Sequence, residues 1–125
     1  IISFKAALEL ESIIVLLIDS YDSFTYNIAK FLRKYSTVKL QIVESNKVNA
    51  ENIDSADRII FSPGPDIPKP GNIMETVLKN YHQGKSILGI CLGLQAIYLH
   101  YGGRLKHLPP FNYLLLFRHF YQWFE

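Results

Sequence analysis

The sequence holds one cysteine, Cys91, among 125 residues. That excludes an internal disulfide framework and fits a reducing compartment, so a cytoplasmic location is the expectation. No block of like charge occurs. The 13 Lys and Arg and 11 Asp and Glu are scattered, for a net charge of +2, which leaves no footprint for a nucleic acid. The four histidines, His82, His100, His107 and His119, make no metal-ligand spacing with Cys91, so no metal site is expected. No apolar run is long enough to cross a membrane. Residues 1–12 carry Lys5, Glu9 and Glu11 and are too polar for a signal peptide or a span, so no membrane partner is expected either.

What is present is 49% apolar and 19% charged, the balance of one globular domain. Ile13 to Ile18 is a continuous β-branched and apolar run, suited to a central strand buried on both faces. After it, Asp22 or Ser23 is placed to cap a helix whose apolar face is Phe24, Ile28, Phe31, Leu32 and Tyr35. Val38 to Val43 alternates as a strand nearer an edge, and one helical turn is expected at 49–52. Arg58 to Phe61 is a third short strand running into Ser62-Pro63-Gly64-Pro65-Asp66-Ile67-Pro68, too proline-rich for sheet or helix. Asn72 and Glu75 make a capping-box-like start to a helix with Ile73, Val77, Leu78 and Tyr81 inward and Gly84 as its C′ stop. Ser86 to Ile90 is the next strand. A helix follows to about Tyr101, then a Gly102-Gly103 turn and an edge strand over Arg104 to Leu108. The order predicts an α/β fold: a doubly wound, mostly parallel sheet with flanking helices.

Between the fourth strand and its helix stands Gly89-Ile90-Cys91-Leu92-Gly93. Gly-x-Cys-x-Gly is the spacing of a nucleophile elbow with cysteine in place of serine. The turn strains the reactive residue, and side chains two positions either side would strike the elements being joined. It also sets the sulfur at a helix N-terminus, where negative charge is favoured. A lone cysteine is otherwise a small buried hydrophobe, and the spacing alone leaves both readings open.

Gly89-Ile90-Cys91-Leu92-Gly93-Leu94-Gln95 closely resembles the nucleophile motif G-x-C-L-G-H-Q of the class I (triad) glutamine amidotransferases. Ile18-Asp19-Ser20-Tyr21-Asp22-Ser23-Phe24-Thr25-Tyr26-Asn27 resembles the opening I-D-N-Y-D-S-F-T-Y-N of the glutaminase subunits, component II, of anthranilate synthase and aminodeoxychorismate synthase, with Ser20 for the usual Asn. Pro63-Gly64-Pro65 resembles the family's P-G-P-G-x-P loop, with Asp66 where the second glycine stands. The resemblance implies Cys91 as nucleophile, Gly64 and Leu92 as oxyanion-hole N–H donors and Gln95 as a glutamine-binding residue. It implies no metal or organic cofactor, glutamine as substrate, and a chorismate-using synthase subunit (component I) as partner that consumes the ammonia.

The resemblance covers residues 13–108. Residues 1–12 match nothing in the family, and residues 109–125 read as an aberrant aromatic tail on a truncated domain. The family's later H-x-E pair, histidine as base and glutamate as its orienter, occurs nowhere. Neither His100 nor His107 stands in the relation to an orienting carboxylate that a triad needs. The expectation is therefore a glutaminase subunit impaired by the missing pair. The alternative is a non-catalytic module that binds a synthase subunit. A third reading, another cysteine hydrolase of elbow type, is disfavoured by Gln95 and by Tyr21 to Asn27.

Overall fold

Ile13–Asp19 (β1) is the strand against which the others assemble. This computed structural model describes residues 12–106. Thr25–Leu32 (α1), Val38–Glu44 (β2), Ala50–Ser55 (α2), Arg58–Phe61 (β3), Ile73–Tyr81 (α3), Ser86–Gly89 (β4) and Leu92–His100 (α4) follow in order. The strands lie in the order β2-β1-β3-β4, every neighbouring pair parallel, with Ile13 opposite Val38, Val15 opposite Arg58 and Arg58 opposite Ser86. The α/β expectation holds, with β1 interior and β2 at an edge.

The two-residue period of a strand explains why β1 tolerates no polar residue before Asp19. Leu16 and Ile18 enter one core with Ile59, Phe61, Val77 and Leu78; Val15 and Leu17 enter the other with Ala29 and Ile60. These four side chains of β1 are at most 3% exposed. Burial of that kind favours folding by roughly 1.5–3 kcal/mol per side chain. Among the described residues, no helix is long and apolar enough to cross a membrane.

The helices correct the sequence reading in detail. On α1 the buried residues are Thr25 and Ala29, with Ile28 and Leu32 half-buried, while Phe24, Phe31 and Tyr35 are more than half exposed. The stripe that meets the sheet is the i, i+3, i+4, i+7 set 25, 28, 29, 32. The bulkier aromatic row lies on the flank, where the Phe31 and Tyr35 rings pack edge to face at 5.7 Å. Nor does Asp22 or Ser23 cap α1. The Asp22 carboxylate accepts the Phe24 N–H at 2.7 Å from two residues before the N-cap, and Phe24, the N-cap, already has helical φ and ψ. Helix α2 begins at a reciprocal pair, with Asn49 and Asn52 each accepting the other's backbone N–H.

On α3 the Asn72 side chain accepts the Glu75 N–H as expected, but Glu75 reaches back to the Gly71 N–H at 2.7 Å, one residue outside the standard box. Gly71 permits this with φ +76°. Met74 joins Val77 and Leu78 in the core, while Ile73 and Tyr81 are half-buried. Gly84 is not a left-handed stop. His82 keeps helical dihedrals, and the chain continues in right-handed turns closed by the Gly84 and Lys85 N–H groups on the Tyr81 carbonyl.

Glu75 also pairs with Lys79 at 2.5 Å. The Lys79 ammonium and the Gly71 N–H hold its carboxyl below the usual carboxylate range. A depressed carboxyl stabilises fully above its unfolded value and loses that contribution as pH falls through the native one. Glu75→Gln should therefore lower the melting temperature slightly at pH 7 and flatten the acid limb of its pH profile below about pH 4.5, set by the unfolded glutamate, so that the two proteins converge in acid.

Ser86–Gly89 is one residue shorter than expected, because Ile90 already turns toward α4 while donating its N–H to the Phe61 carbonyl. Arg104 to Lys106 form no strand. Gly102, at φ +87°, turns the chain, and the Gly103 N–H binds the Tyr98 carbonyl, so the backbone leaves the helix beside the Tyr98 ring and does not join the sheet. His107, Leu108, the extension through residue 11 and the aromatic tail lie outside the described residues.

Candidate active site

All four strands are parallel, so their C-terminal ends share one rim, and the loops leaving β1 and β3 part there to opposite sides. In open α/β sheets such a divergence is where ligands bind. Among the described residues, the three non-glycine residues with positive φ all lie in the loops leaving that rim: Tyr21 after β1 (φ 65°), Asp66 after β3 (φ 61°) and Cys91 after β4 (φ 51°). Strained backbone of this kind costs on the order of 1–3 kcal/mol per residue and gathers at functional sites. Asp66 occupies the position where the family resemblance places glycine, and it keeps the left-handed conformation that glycine would take freely.

Cys91 is the N-cap of α4, with φ 51° and ψ −107°, and it is exposed. The glycines around it are dictated by contact. A Cβ on Gly89 would overlap the backbone of Gly93 and Leu94; one on Gly93 would overlap the Cβ and carbonyl of Phe61. Strand and helix thus approach backbone to backbone, which aims the cysteine outward.

The loop after β3 closes over the same point. A Cβ on Gly64 would come to 2.5 Å from Leu92 Cδ2 and 2.8 Å from Ser20 Cβ. Gly64 therefore lies against the side chain of Leu92, the residue that follows Cys91. The N–H groups of a helix's first turn have no intrahelical acceptor, and the Leu92 N–H belongs to that turn. Gln95 follows almost one turn on. Its Oε1 is buried without a hydrogen-bond partner among the described residues, an uncommon condition that calls for a ligand or a water.

A second tier fixes this arrangement. The Ser20 N–H donates to Ser62 Oγ at 2.8 Å, and the Ser62 hydroxyl donates to the Pro63 carbonyl at 2.7 Å, all buried. The Asp19 carboxylate accepts the Tyr21 N–H at 3.0 Å and the Thr25 hydroxyl at 2.8 Å. The sequence reading passed over Ser62 and gave Asp19, Ser20 and Thr25 no individual role. Their signal was the motif around Tyr21 and the position directly after β3. Ser62→Ala leaves the buried Ser20 N–H without its acceptor and should cost about 1–3 kcal/mol, measured by urea unfolding.

His100 does not join the site. It ends α4, with its ring 5.0 Å from that of His82 and 5.0 Å from that of Tyr101, against the end of α3. A groove of about 350 Å³ between the proline loop, α3 and α4 is lined by Pro68, Glu75, Lys79, Leu99 and His100 among others, and by none of Cys91, Gly64 or Gln95. Among the described residues no three His, Cys, Asp or Glu side chains gather as a metal-ligand set.

Residues 16–114 match the family model for glutamine amidotransferase class-I. The chain is 42% identical over 93 residues to anthranilate synthase component 2 of Lactococcus lactis subsp. lactis, covering 74% of this chain and 46% of that protein. It is 38% identical over 85 residues to anthranilate synthase component 2 of Acetivibrio thermocellus, covering 66% of this chain and 92% of that one. Against the namesake protein of Thermus thermophilus it is 34% identical over 97 residues, 76% of this chain and 47% of the relative. The chain spans about half the length of the Lactococcus and Thermus relatives.

Proposed function

The chain belongs to the class-I glutamine amidotransferase family, and we propose that it carries the nucleophile half of a glutaminase site that releases ammonia for a chorismate-using synthase. The observation that carries this reading is the strained, exposed Cys91 at the start of α4 with Gly64 packed against Leu92.

Cys91 Sγ attacks the side-chain amide carbon of glutamine. The C–N bond breaks once the nitrogen has taken a proton, and ammonia leaves behind a γ-glutamyl thioester that water hydrolyses. The Leu92 and Gly64 N–H groups hold the oxyanion, at about 3–4 kcal/mol per donor. The unpartnered Gln95 Oε1 accepts from the substrate's amino group. By the family's pattern the proton is handled by the histidine of a His-x-Glu pair, which these 125 residues lack. A positioned base and acid contributes about 10² to 10⁴-fold, so the chain on its own forms thioester slowly.

The relatives' names favour component I of anthranilate synthase as partner over the aminodeoxychorismate enzyme. A second reading is a module that binds the synthase without chemistry. Labelling separates the two. A chloroketone analogue of glutamine should modify Cys91 at least about tenfold faster than iodoacetamide, since tenfold needs only ~1.4 kcal/mol of contacts. Equal rates, read by intact mass, would mean that no glutamine pocket stands at Cys91 and would leave the binding module.

A further inference from the structure

We propose that Ser62 is a positioning residue of the oxyanion hole: its hydroxyl pins the carbonyl of the Pro63–Gly64 peptide and so aims the Gly64 N–H at the substrate oxygen. The inference rests on the glutaminase reading, which makes that N–H a donor. The Pro63 carbonyl and the Gly64 N–H are the two ends of one peptide unit, and no peptide bond among the described residues is cis. In a trans peptide the two groups point in opposite directions within one plane. Fixing one end therefore fixes the other. Ser62 Oγ donates to the Pro63 carbonyl at 2.7 Å, in the buried interior. The Gly64 N–H then points away from Ser62, and no described residue accepts it.

Without that bond the peptide is free to turn. The proline ring fixes φ of Pro63 but not ψ, and the glycine that follows takes either sign of φ. Pro-Gly is thus a pair that admits both orientations of its central peptide, the two that separate turns of type I from turns of type II. The pin is itself held. The Ser62 N–H donates to the Ile18 carbonyl at 3.1 Å, Ser62 Oγ accepts the Ser20 N–H at 2.8 Å, and Ser62 has no exposed surface. A hydroxyl has one proton and two lone pairs. The Ser20 N–H occupies a lone pair, so the proton is committed to Pro63. Gly64 is meanwhile wedged between Ser20 and the Leu92 side chain, where a Cβ would come to 2.8 Å and 2.5 Å. The loop is therefore fixed as a body, and the orientation of this one peptide is what the Ser62 hydroxyl sets.

The chloroketone analogue of glutamine tests this, because its ketone oxygen takes the place of the amide oxygen while Cys91 Sγ displaces chloride from the adjacent carbon. In Ser62→Ala its maximal rate of capture, kinact, should fall about tenfold or more, against the roughly 10²–10³ that outright loss of a hole donor costs. Its half-saturating concentration, KI, and the iodoacetamide rate should stay within about twofold, since binding that is equal in ground and transition states is untouched. Val15→Ala, a core truncation toward the opposite end of β1, should destabilise the domain and leave kinact unchanged. A crystal structure of the Ser62→Ala variant should show the Pro63–Gly64 peptide turned or in two orientations. Undiminished kinact, an equal fall in Val15→Ala, or a single unaltered peptide orientation would overturn the assignment to Ser62. No preference for the chloroketone over iodoacetamide in the unaltered chain would instead remove the glutaminase reading, and the proposal with it. Should the Ser62→Ala variant not fold, the unaltered chain decides by nuclear magnetic resonance. One Gly64 amide signal that moves downfield on capture is expected, and an unmoved or doubled signal would overturn the proposal.

Discussion

Gly93→Ala is expected to destabilise the domain by about 2–3 kcal/mol, the upper part of the range for overpacking a filled core. The added Cβ has no room, because it would overlap both Cβ and carbonyl of Phe61, a residue with no exposed surface at the end of β3. Two backbones would have to separate, and β3 is held between β1 and β4. In an exposed helix the same substitution would gain about 1 kcal/mol of helix propensity. The sign of the effect is therefore the test. Urea unfolding should show a lower midpoint at unchanged slope, and a raised midpoint would mean that the strand and helix do not meet as closely as described.

Cys91 should respond differently to two small replacements. Cys91→Gly removes a side chain from a residue at φ 51°, ψ −107°. Relief of backbone strain is worth on the order of 1–3 kcal/mol, against roughly 0.5–1 kcal/mol of added chain entropy for glycine. A net gain of about 1 kcal/mol raises the melting temperature of a domain this size by about 4–8 °C. Cys91→Ala keeps the strain and should leave the melting temperature nearly where it was. Both variants lose covalent capture by the glutamine chloroketone outright. A chain that becomes more stable when its reactive residue is removed holds that residue against a local cost, as functional sites do. Equal melting temperatures for the glycine and alanine forms would remove the strain argument.

Much of this was legible in the sequence for specific reasons. β1 could be placed in the middle of the sheet because six consecutive apolar residues fit only a strand covered on both faces. The turn at Cys91 could be placed because Gly89 and Gly93 are required by contact, and contact requirements survive in spacing. The flank of α1 was not legible. Phe24, Phe31 and Tyr35 follow helical spacing as well as Thr25, Ile28, Ala29 and Leu32 do, and hydrophobicity ranks the aromatics first. Only the close approach of the helix to the sheet selects the smaller residues. Gly84 misled because glycine after a helix usually marks a left-handed residue, whereas right-handed turns serve here. Arg104 to Lys106 alternate like a strand, but alternation creates no partner, and Gly103 had already turned the backbone onto Tyr98. Ser62 could not be ranked from sequence, since its value lies in an acceptor offered to a backbone 42 residues away.

The position of β1 between β2 and β3 also bears on how the chain finds its fold. Pairing β1 with β2 joins residues 25 apart and pairing β3 with β4 residues 28 apart, while joining β1 to β3 spans 43, the separation of the mutual Ile14–Asp57 hydrogen bonds. Loop-closure entropy disfavours the longer closure by about 0.5 kcal/mol before any contact is made. The two strand–helix–strand halves are therefore the early units, and their docking along Leu16 and Ile59 is the late step. That late step is also the one that brings Ser20 against Ser62 and Gly64, so the β1 side of the rim reaches Cys91 last.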